Sequence, residues 1–285
     1  KETLYQKMRA LIIYLVISAV FIGCTPILSI DASTQSVYHF SDTDKNISLL
    51  DISETFGTYD GSFVLYDNNL DSWKIYDLEE ATKRIPPEST YKIYDALLGL
   101  ESGIITPEHS SMTWNGDAFP FPSWEADQDL NSAMQNSVNW YFQAIDSQLG
   151  INRVQEFLNK IEYGNQTTSS NLDLYWSDFS LKISPLEQVT LLKKFNTNEF
   201  HLNSQNVFSV KNAIKIASTP NGNFYGKTGT GRVNGQDING WFIGYVETSD
   251  NSYYFATNIQ SDSNATGKKA FEITSDILKK LHIWN

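Results

Sequence analysis

The order of elements along this chain predicts an α+β fold, sandwich-like in its layering, in which an antiparallel sheet is flanked by terminal helices and completed by a helical subdomain. Three observations carry that expectation. Two short apolar runs, Gly61-Ser62-Phe63-Val64-Leu65-Tyr66 and Trp73-Lys74-Ile75-Tyr76, are joined by the turn-rich Asp67-Asn68-Asn69-Leu70-Asp71 and read as a hairpin. A second block of strands runs from about Phe224 to Ile259, punctuated by Gly235-Gln236-Asp237 and Ser249-Asp250-Asn251. The sequence between the two blocks, and after the second, has helical character. A functional cleft is expected between the two lobes.

Taken in order, residues 1–9 carry Lys1, Lys7 and Arg9 ahead of an uncharged run, residues 10–30. As a helix that run extends about 31 Å, enough to cross a bilayer core. Basic residues on the short leading side place it in the cytoplasm and the remainder outside. A signal peptide is the rival reading, with Phe21-Ile22-Gly23-Cys24 as its cleavage box. Phenylalanine fits poorly three residues before such a cysteine, and Thr25-Pro26-Ile27-Leu28 stays apolar, so a retained membrane helix is expected. Residues 31–48, rich in Ser, Thr and Asp, read as a linker, and residues 49–285 as the globular domain. Because the first residue is lysine, the chain is expected to be a piece of something longer.

After the hairpin, Pro86-Pro87-Glu88 leads into Ser89-Thr90-Tyr91-Lys92 and the apolar run Ile93, Tyr94, Ala96, Leu97, Leu98 and Leu100. The prolines suit a helix start, and Gly99 and Gly103 its end. A loop-rich aromatic stretch covers residues 104–124. Residues 127–149, 153–162 and 185–195 look helical, with Tyr163-Gly164-Asn165 as a breaker. Residues 266–281 form a last, amphipathic helix. Tyr91, Trp140 and Tyr141 are expected in the core.

Composition excludes some functions. With 285 residues and a net charge of −12, the surface repels nucleic acid, and no such partner is expected. One cysteine excludes an internal disulfide framework, and four scattered histidines show no metal-ligand spacing, so no metal is expected.

Chemistry concentrates at Ser89 and Lys92. Residues three apart share a helix face, so hydroxyl and amine are neighbours. A serine hydroxyl becomes a nucleophile when a base takes its proton, and a lysine whose pKa burial has lowered can be that base. The S-x-x-K spacing alone is weak, but two further motifs accompany it. Ser137-Val138-Asn139 lies downstream, and Lys227-Thr228-Gly229-Thr230-Gly231 sits on a strand in the order expected of serine acyltransferases.

These motifs, with Tyr163-Gly164-Asn165 and Trp176 ahead of Ser180-Leu181-Lys182-Ile183-Ser184, resemble the class D serine β-lactamases and the penicillin-binding transpeptidase-like fold. The closer resemblance is to the sensor domains of BlaR/MecR-type β-lactam receptors. It implies Ser89 as the acylated nucleophile, Lys92 as its base, and a CO2-derived N-carboxylation of Lys92 as one state of that base. It implies Ser137 as proton relay to the leaving nitrogen, and Lys227, Thr228 and Gly229 as holders of the substrate carboxylate. It also implies that Thr230 supplies an oxyanion-hole N–H beside that of Ser89. Asn139 and Trp176 complete the substrate side. No cofactor beyond CO2 is implied. The partners implied are β-lactam antibiotics, bound covalently, the membrane, and a cytoplasmic zinc-protease region earlier in the full-length protein.

Sensor and hydrolase share acylation and differ in deacylation. Asn139 occupies a position that is usually apolar in the class D enzymes, and an amide there can hydrogen-bond Lys92 and stall hydrolysis. A tethered receptor, an anchored class D β-lactamase and a catalytically silent relative are the readings left open by the residues alone.

Overall fold

Seven strands form one sheet in the computed structural model, which describes residues 46–285. In chain order they are β1 (Ile47–Leu49), β2 (Asp60–Asp67), β3 (Ser72–Tyr76), β4 (Lys215–Thr219), β5 (Gly222–Val233), β6 (Gln236–Thr248) and β7 (Ser252–Gln260). Their spatial order is β1-β3-β2-β7-β6-β5-β4. The expected hairpin forms, with Phe63 opposite Tyr76 and Asp67 opposite Ser72. Its turn closes on Asp67, whose Oδ1 accepts from the amides of Asn69 and Leu70. β2 then pairs along its whole length with β7, so the two ends of the domain meet in mid-sheet.

The sheet is not wholly antiparallel. β1 runs parallel to β3, with Ile47 opposite Trp73 and Leu49 opposite Ile75. Ile47 and Ser48, read as linker, are therefore part of the sheet. The expected membrane helix, residues 10–30, lies outside the described residues. Among those described, no helix is long and apolar enough to cross a membrane.

Both faces of the sheet are covered, which is why the strands read as nearly continuous apolar runs rather than strict alternations. Phe63, Leu65, Phe242 and Phe255 point to one side, where Ala270, Ile273 and Ile277 of the terminal helix Gly267–Lys280 pack on them. Val64, Tyr66, Ile243 and Tyr254 point to the other, joining the core of the helical lobe. The helix Lys92–Glu101 lies within that second core and is buried from Lys92 to Leu100, as expected of a helix apolar on all sides.

Three local expectations are corrected. Gly99 does not end the helix: a Cβ there would come 2.9 Å from Ile145 Cγ2, so the glycine permits close packing, and Gly103, at φ +70°, takes the left-handed turn beyond the helix. Residues 127–149 are two helices, Leu130–Gln135 and Asn139–Leu149, with Ser137 at φ +55° between them. Asp129 starts the first through a capping box with Ser132. The helix Ser204–Ala213 and the edge strand β4, neither expected, fill the gap before β5. Exposed residues dominate β4, and a buried Asn206 with an exposed Phe208 blurs the periodicity of the helix.

Candidate active site

A single 3₁₀ turn, Glu88–Tyr91, delivers Ser89 to the start of the central helix. Glu88 has φ +52°, a left-handed conformation uncommon for a side-chain-bearing residue and sustained only where its surroundings hold it. The surroundings are specific. The Glu88 amide donates to Trp176 O at 3.1 Å, and Asn239 Nδ2 on β6 donates to Pro86 O at 3.1 Å and to Glu88 Oε1 at 3.2 Å. Trp241 Nε1 adds a second donor to Pro86 O at 2.8 Å.

Two glycines let β5 approach this turn. A Cβ at Gly229 would lie 3.1 Å from Glu88 Cβ and 3.2 Å from the Ser89 amide nitrogen. A Cβ at Gly231 would collide with the Glu88 carboxyl group. The strand backbone after Lys227 therefore passes directly beside the Ser89 amide, the geometry two converging N–H donors require. Thr230 presents only backbone here, because its Oγ1 accepts from the Gly267 amide at 2.9 Å and tethers the terminal helix.

Lys92 is 1% exposed, and its Nζ donates to Ser89 Oγ and to Asn139 Oδ1, each at 2.7 Å. Phe142 and Trp176 wall the amine, their ring centroids 5.6 and 5.7 Å away. Burial pushes the Lys92 ammonium well below the usual lysine range, the charge of Lys227 pushes the same way, and Asp95 and Glu88 oppose. A lysine so placed can exist as the free amine and take the proton of Ser89.

Lys227 Nζ donates to Ser137 Oγ and to Thr228 O, each at 3.0 Å. Burial pushes its pKa down to about 7. Lys227 and Thr228, with Met134, Gln135 and Lys215, line a groove of ≈360 Å³, room for a small bicyclic ligand. The left-handed turn at Ser137 aims its hydroxyl at Lys227 while the next residue but one, Asn139, faces Lys92. One loop between two helices thus reaches both lysines.

Of the expected site residues, Lys227 and Thr228 line this groove, Ser137 joins them through its contact with Lys227, Lys92 holds Ser89 and Asn139, and Gly229, followed by Thr230 on β5, passes beside the Ser89 amide. Asn139 stands against the candidate base rather than on the groove side with Lys227. Trp176 is 3% exposed, stacks on Tyr91 with centroids 6.2 Å apart, and walls Lys92 rather than the groove. Tyr163-Gly164-Asn165 has a structural place: Asn165 Nδ2 donates to Ser180 O at 2.7 Å and its Oδ1 accepts from Lys182 N at 2.9 Å, pinning the loop that carries Trp176.

Sequence reasoning passed over several buried polar groups near Ser89. Glu88 is 6% exposed, and burial pushes its carboxyl up to about 8 against the opposing hydrogen bond from Asn239. Asp95 and Asp146 are fully buried below Lys92. Their signal was a carboxylate inside an apolar run, Tyr94-Asp95-Ala96 and Ile145-Asp146, since such residues are seldom buried without a partner.

Comparison with known proteins agrees with the geometry. Residues 57–279 match the family model of the penicillin binding protein transpeptidase domain. The regulatory protein BlaR1 of Bacillus licheniformis is 44% identical over 99% of this chain and 46% of its own length. The solved C-terminal domain of the Bacillus licheniformis BlaR penicillin-receptor superposes with a TM-score of 0.82 at 46% identity, over 84% of this chain and 98% of that one. A class D β-lactamase from Bacillus subtilis superposes at 0.78 with 36% identity, over 83% and 97%. The chain spans about half the length of the BlaR1 and MecR1 relatives it matches. With its three motifs linked by these contacts and these relatives around it, the chain belongs to the penicillin-binding transpeptidase family, in the branch shared by BlaR/MecR-type sensors and class D β-lactamases.

Proposed function

We propose that residues 49–285 are the β-lactam sensor domain of a membrane receptor, acylated at Ser89 to give a long-lived acyl-protein that signals induction of resistance. The observation that carries this reading is the Lys92 amine held at 2.7 Å from both Ser89 Oγ and Asn139 Oδ1. As a free amine Lys92 accepts the Ser89 proton while Oγ attacks the lactam carbonyl. The amides of Ser89 and Thr230 receive the developing oxyanion. The ring C–N bond then breaks, and the Ser137 hydroxyl hands a proton to the leaving nitrogen while taking one from the Lys227 ammonium, which donates to it at 3.0 Å and recovers its proton from solvent. Lys227 and Thr228 hold the carboxylate that β-lactams carry. An ester on Ser89 remains, and Lys92 is left as an ammonium.

Hydrolysis of that ester needs a base toward water. Asn139 offers its oxygen to the protonated amine and stabilises the form that cannot act as one. The desolvated amine also suits N-carboxylation, because CO2 adds to a neutral lysine; the enclosure formed by Phe142 and Trp176 fits such a group, which when present supplies a carboxylate base beside Ser89. In the same proposal residues 10–30 cross the membrane, the sensor faces outside, and a zinc-protease region of the full-length protein receives the signal.

The test is benzylpenicillin followed by intact-protein mass spectrometry over hours. One adduct that maps to Ser89 and persists is the expected result. An adduct that disappears while hydrolysed product accumulates makes the chain a membrane-anchored class D β-lactamase. Absence of any adduct on folded protein overturns both.

A further inference from the structure

Beneath Lys92, two aspartates from different helices meet in the core. Asp95 lies one turn along from Lys92 on the same helix, and Asp146 comes from the facing helix Asn139–Leu149; both are 0% exposed. Tyr175 Oη donates to Asp146 Oδ1 at 3.2 Å. The other three oxygens, both of Asp95 and Oδ2 of Asp146, have no donor among the described residues. Burial pushes both carboxyls up from the usual carboxylate range, Asp95 to about 8, and the two facing helices bring each within the other's influence. Two buried carboxylates that offer each other only lone pairs cannot both stay ionised, because neither repulsion nor desolvation is repaid. A single proton between them resolves both problems and turns an acceptor–acceptor contact into a charge-assisted hydrogen bond.

We infer that Asp95 and Asp146 form a carboxylic acid–carboxylate dyad sharing one proton, and that its one remaining negative charge sets the protonation of Lys92 and so the lifetime of the acyl form. This rests on the reading of Ser89 and Lys92 given above. The aspartates touch neither ligand nor Ser89; they are positioning residues that act through Lys92.

The charged neighbours are few. On the dyad's own helix the only cation facing it is Lys92. From the loop after residue 163, Asp173 adds a weak negative influence on Asp146. Glu88 and Lys227 face Lys92 from the turn before it and from β5, with opposite effects on the amine. Tyrosines supply the rest of the wall: Tyr91 from the helix, Tyr141 from the facing helix, and Tyr175 from a loop. Burial pushes all three phenols up, so they stay neutral across the working range.

The experiment measures the benzylpenicillin acylation rate of the 285-residue chain against pH, for wild type, Asp95→Asn, Asp146→Asn and the double variant. The acid limb of that profile reports Lys92 losing its proton. Each single variant keeps one carboxylate, now paired with an amide, and therefore the same charge; its limb is expected where the wild type has it. The double variant loses the charge, and its limb is expected lower by on the order of 1 pH unit, with an acyl half-life shortened about tenfold. A limb that moves in each single variant means two independent carboxylates, and one unmoved in the double variant means no charge; either overturns the dyad. A purely structural role would lower the rate at every pH without moving the limb.

Infrared spectroscopy keeps the inference exposed if the double variant fails to fold. In Glu88→Gln, where that carboxyl's own band is gone, a buried carboxylic-acid carbonyl band should remain at neutral pH and vanish when Asp146→Asn is added; no such band refutes the shared proton. If benzylpenicillin leaves the wild type unlabelled, the sensor reading fails instead, while the infrared result still decides the dyad.

Discussion

Replacing Asn139 by valine should release the stalled acyl-protein. Asn139 Oδ1 accepts from Lys92 Nζ at 2.7 Å, the only side-chain acceptor for that amine besides Ser89 among the described residues. A hydrogen bond to a charged group contributes about 1.5–3 kcal/mol, which lowers the Lys92 pKa by about 1–2 units when the acceptor is removed. Once Ser89 is esterified, its oxygen is a poorer acceptor and Asn139 matters more. The fraction of neutral amine near pH 7 then rises about 10- to 100-fold, and the rate of ester hydrolysis should rise by up to the same factor. Valine fits the site, since residue 139 is the first of its helix and the cap is backbone, so the propensity cost is a few tenths of a kcal/mol. The assay labels the protein with benzylpenicillin, removes the excess, and follows loss of the adduct by intact mass. The acid limb of the acylation profile is recorded in parallel. If that limb moves down while the adduct lives as long as in the wild type, the charge of Lys92 does not govern the lifetime and the reasoning is refuted.

Two further outcomes follow from the buried charges. Lys227, pushed down to about 7, loses its proton as pH rises through that value, so the second-order acylation rate with a carboxylate-bearing β-lactam should show an alkaline limb there. In Lys227→Arg the guanidinium stays charged, and the limb should vanish whatever the absolute rate. Glu88 has its folded pKa raised from 4.5 to about 8 by burial, so the folded state binds the extra proton between those values. Stability should therefore fall as pH climbs from about 4.5 to 8, by on the order of 1 kcal/mol per unit at most. Glu88→Gln keeps the acceptor for Asn239 Nδ2 and removes the titration, so thermal melts across that window should show a flatter slope for the variant. An unchanged slope would mean that Glu88 stays ionised.

Much of this site was legible because its chemistry is written in short range. Ser89 and Lys92 are neighbours by helix geometry alone, and Lys227-Thr228-Gly229-Thr230-Gly231 is poor strand filler that close packing explains: Gly229 leaves little room beside Ser89, and a Cβ at Gly231 would strike the Glu88 carboxyl. The sheet was readable for the same reason, from the hairpin and the three long strands. What was not legible depends on contacts far apart in sequence. The parallel pairing of β1 with β3 has no local signature, and exposed Lys215–Thr219 is held as a strand by β5, not by its own pattern. The break at Ser137 hides in a run read as one helix, because no glycine or proline marks it and its left-handed backbone is held where the Ser137 hydroxyl meets Lys227. Asp95 and Asp146 are 51 positions apart, and nothing in either segment says that they meet.

The ligand itself enters the balance of charge at Lys92, and this yields a sharper discrimination than any substitution. At rest the Lys227 cation opposes a proton on Lys92, which favours the free amine needed for attack. On the proposed reading, a bound β-lactam places its carboxylate on Lys227, cancelling that opposition just when Lys92 has received the Ser89 proton. The ammonium is then held by Asn139 and by the negative charge beneath it, and no base faces the ester. A β-lactam whose carboxylate is esterified lacks this effect. It should acylate more slowly, having lost its anchor, yet its acyl form should hydrolyse faster, by about tenfold if removing the opposing charge is worth about one pKa unit. The difference should be present below pH 7, where Lys227 is charged, and fade above it as Lys227 becomes neutral. Equal lifetimes for acid and ester at low pH would show that Lys92 keeps its proton without help from the ligand, leaving Asn139 and the buried aspartates as the only groups that hold it.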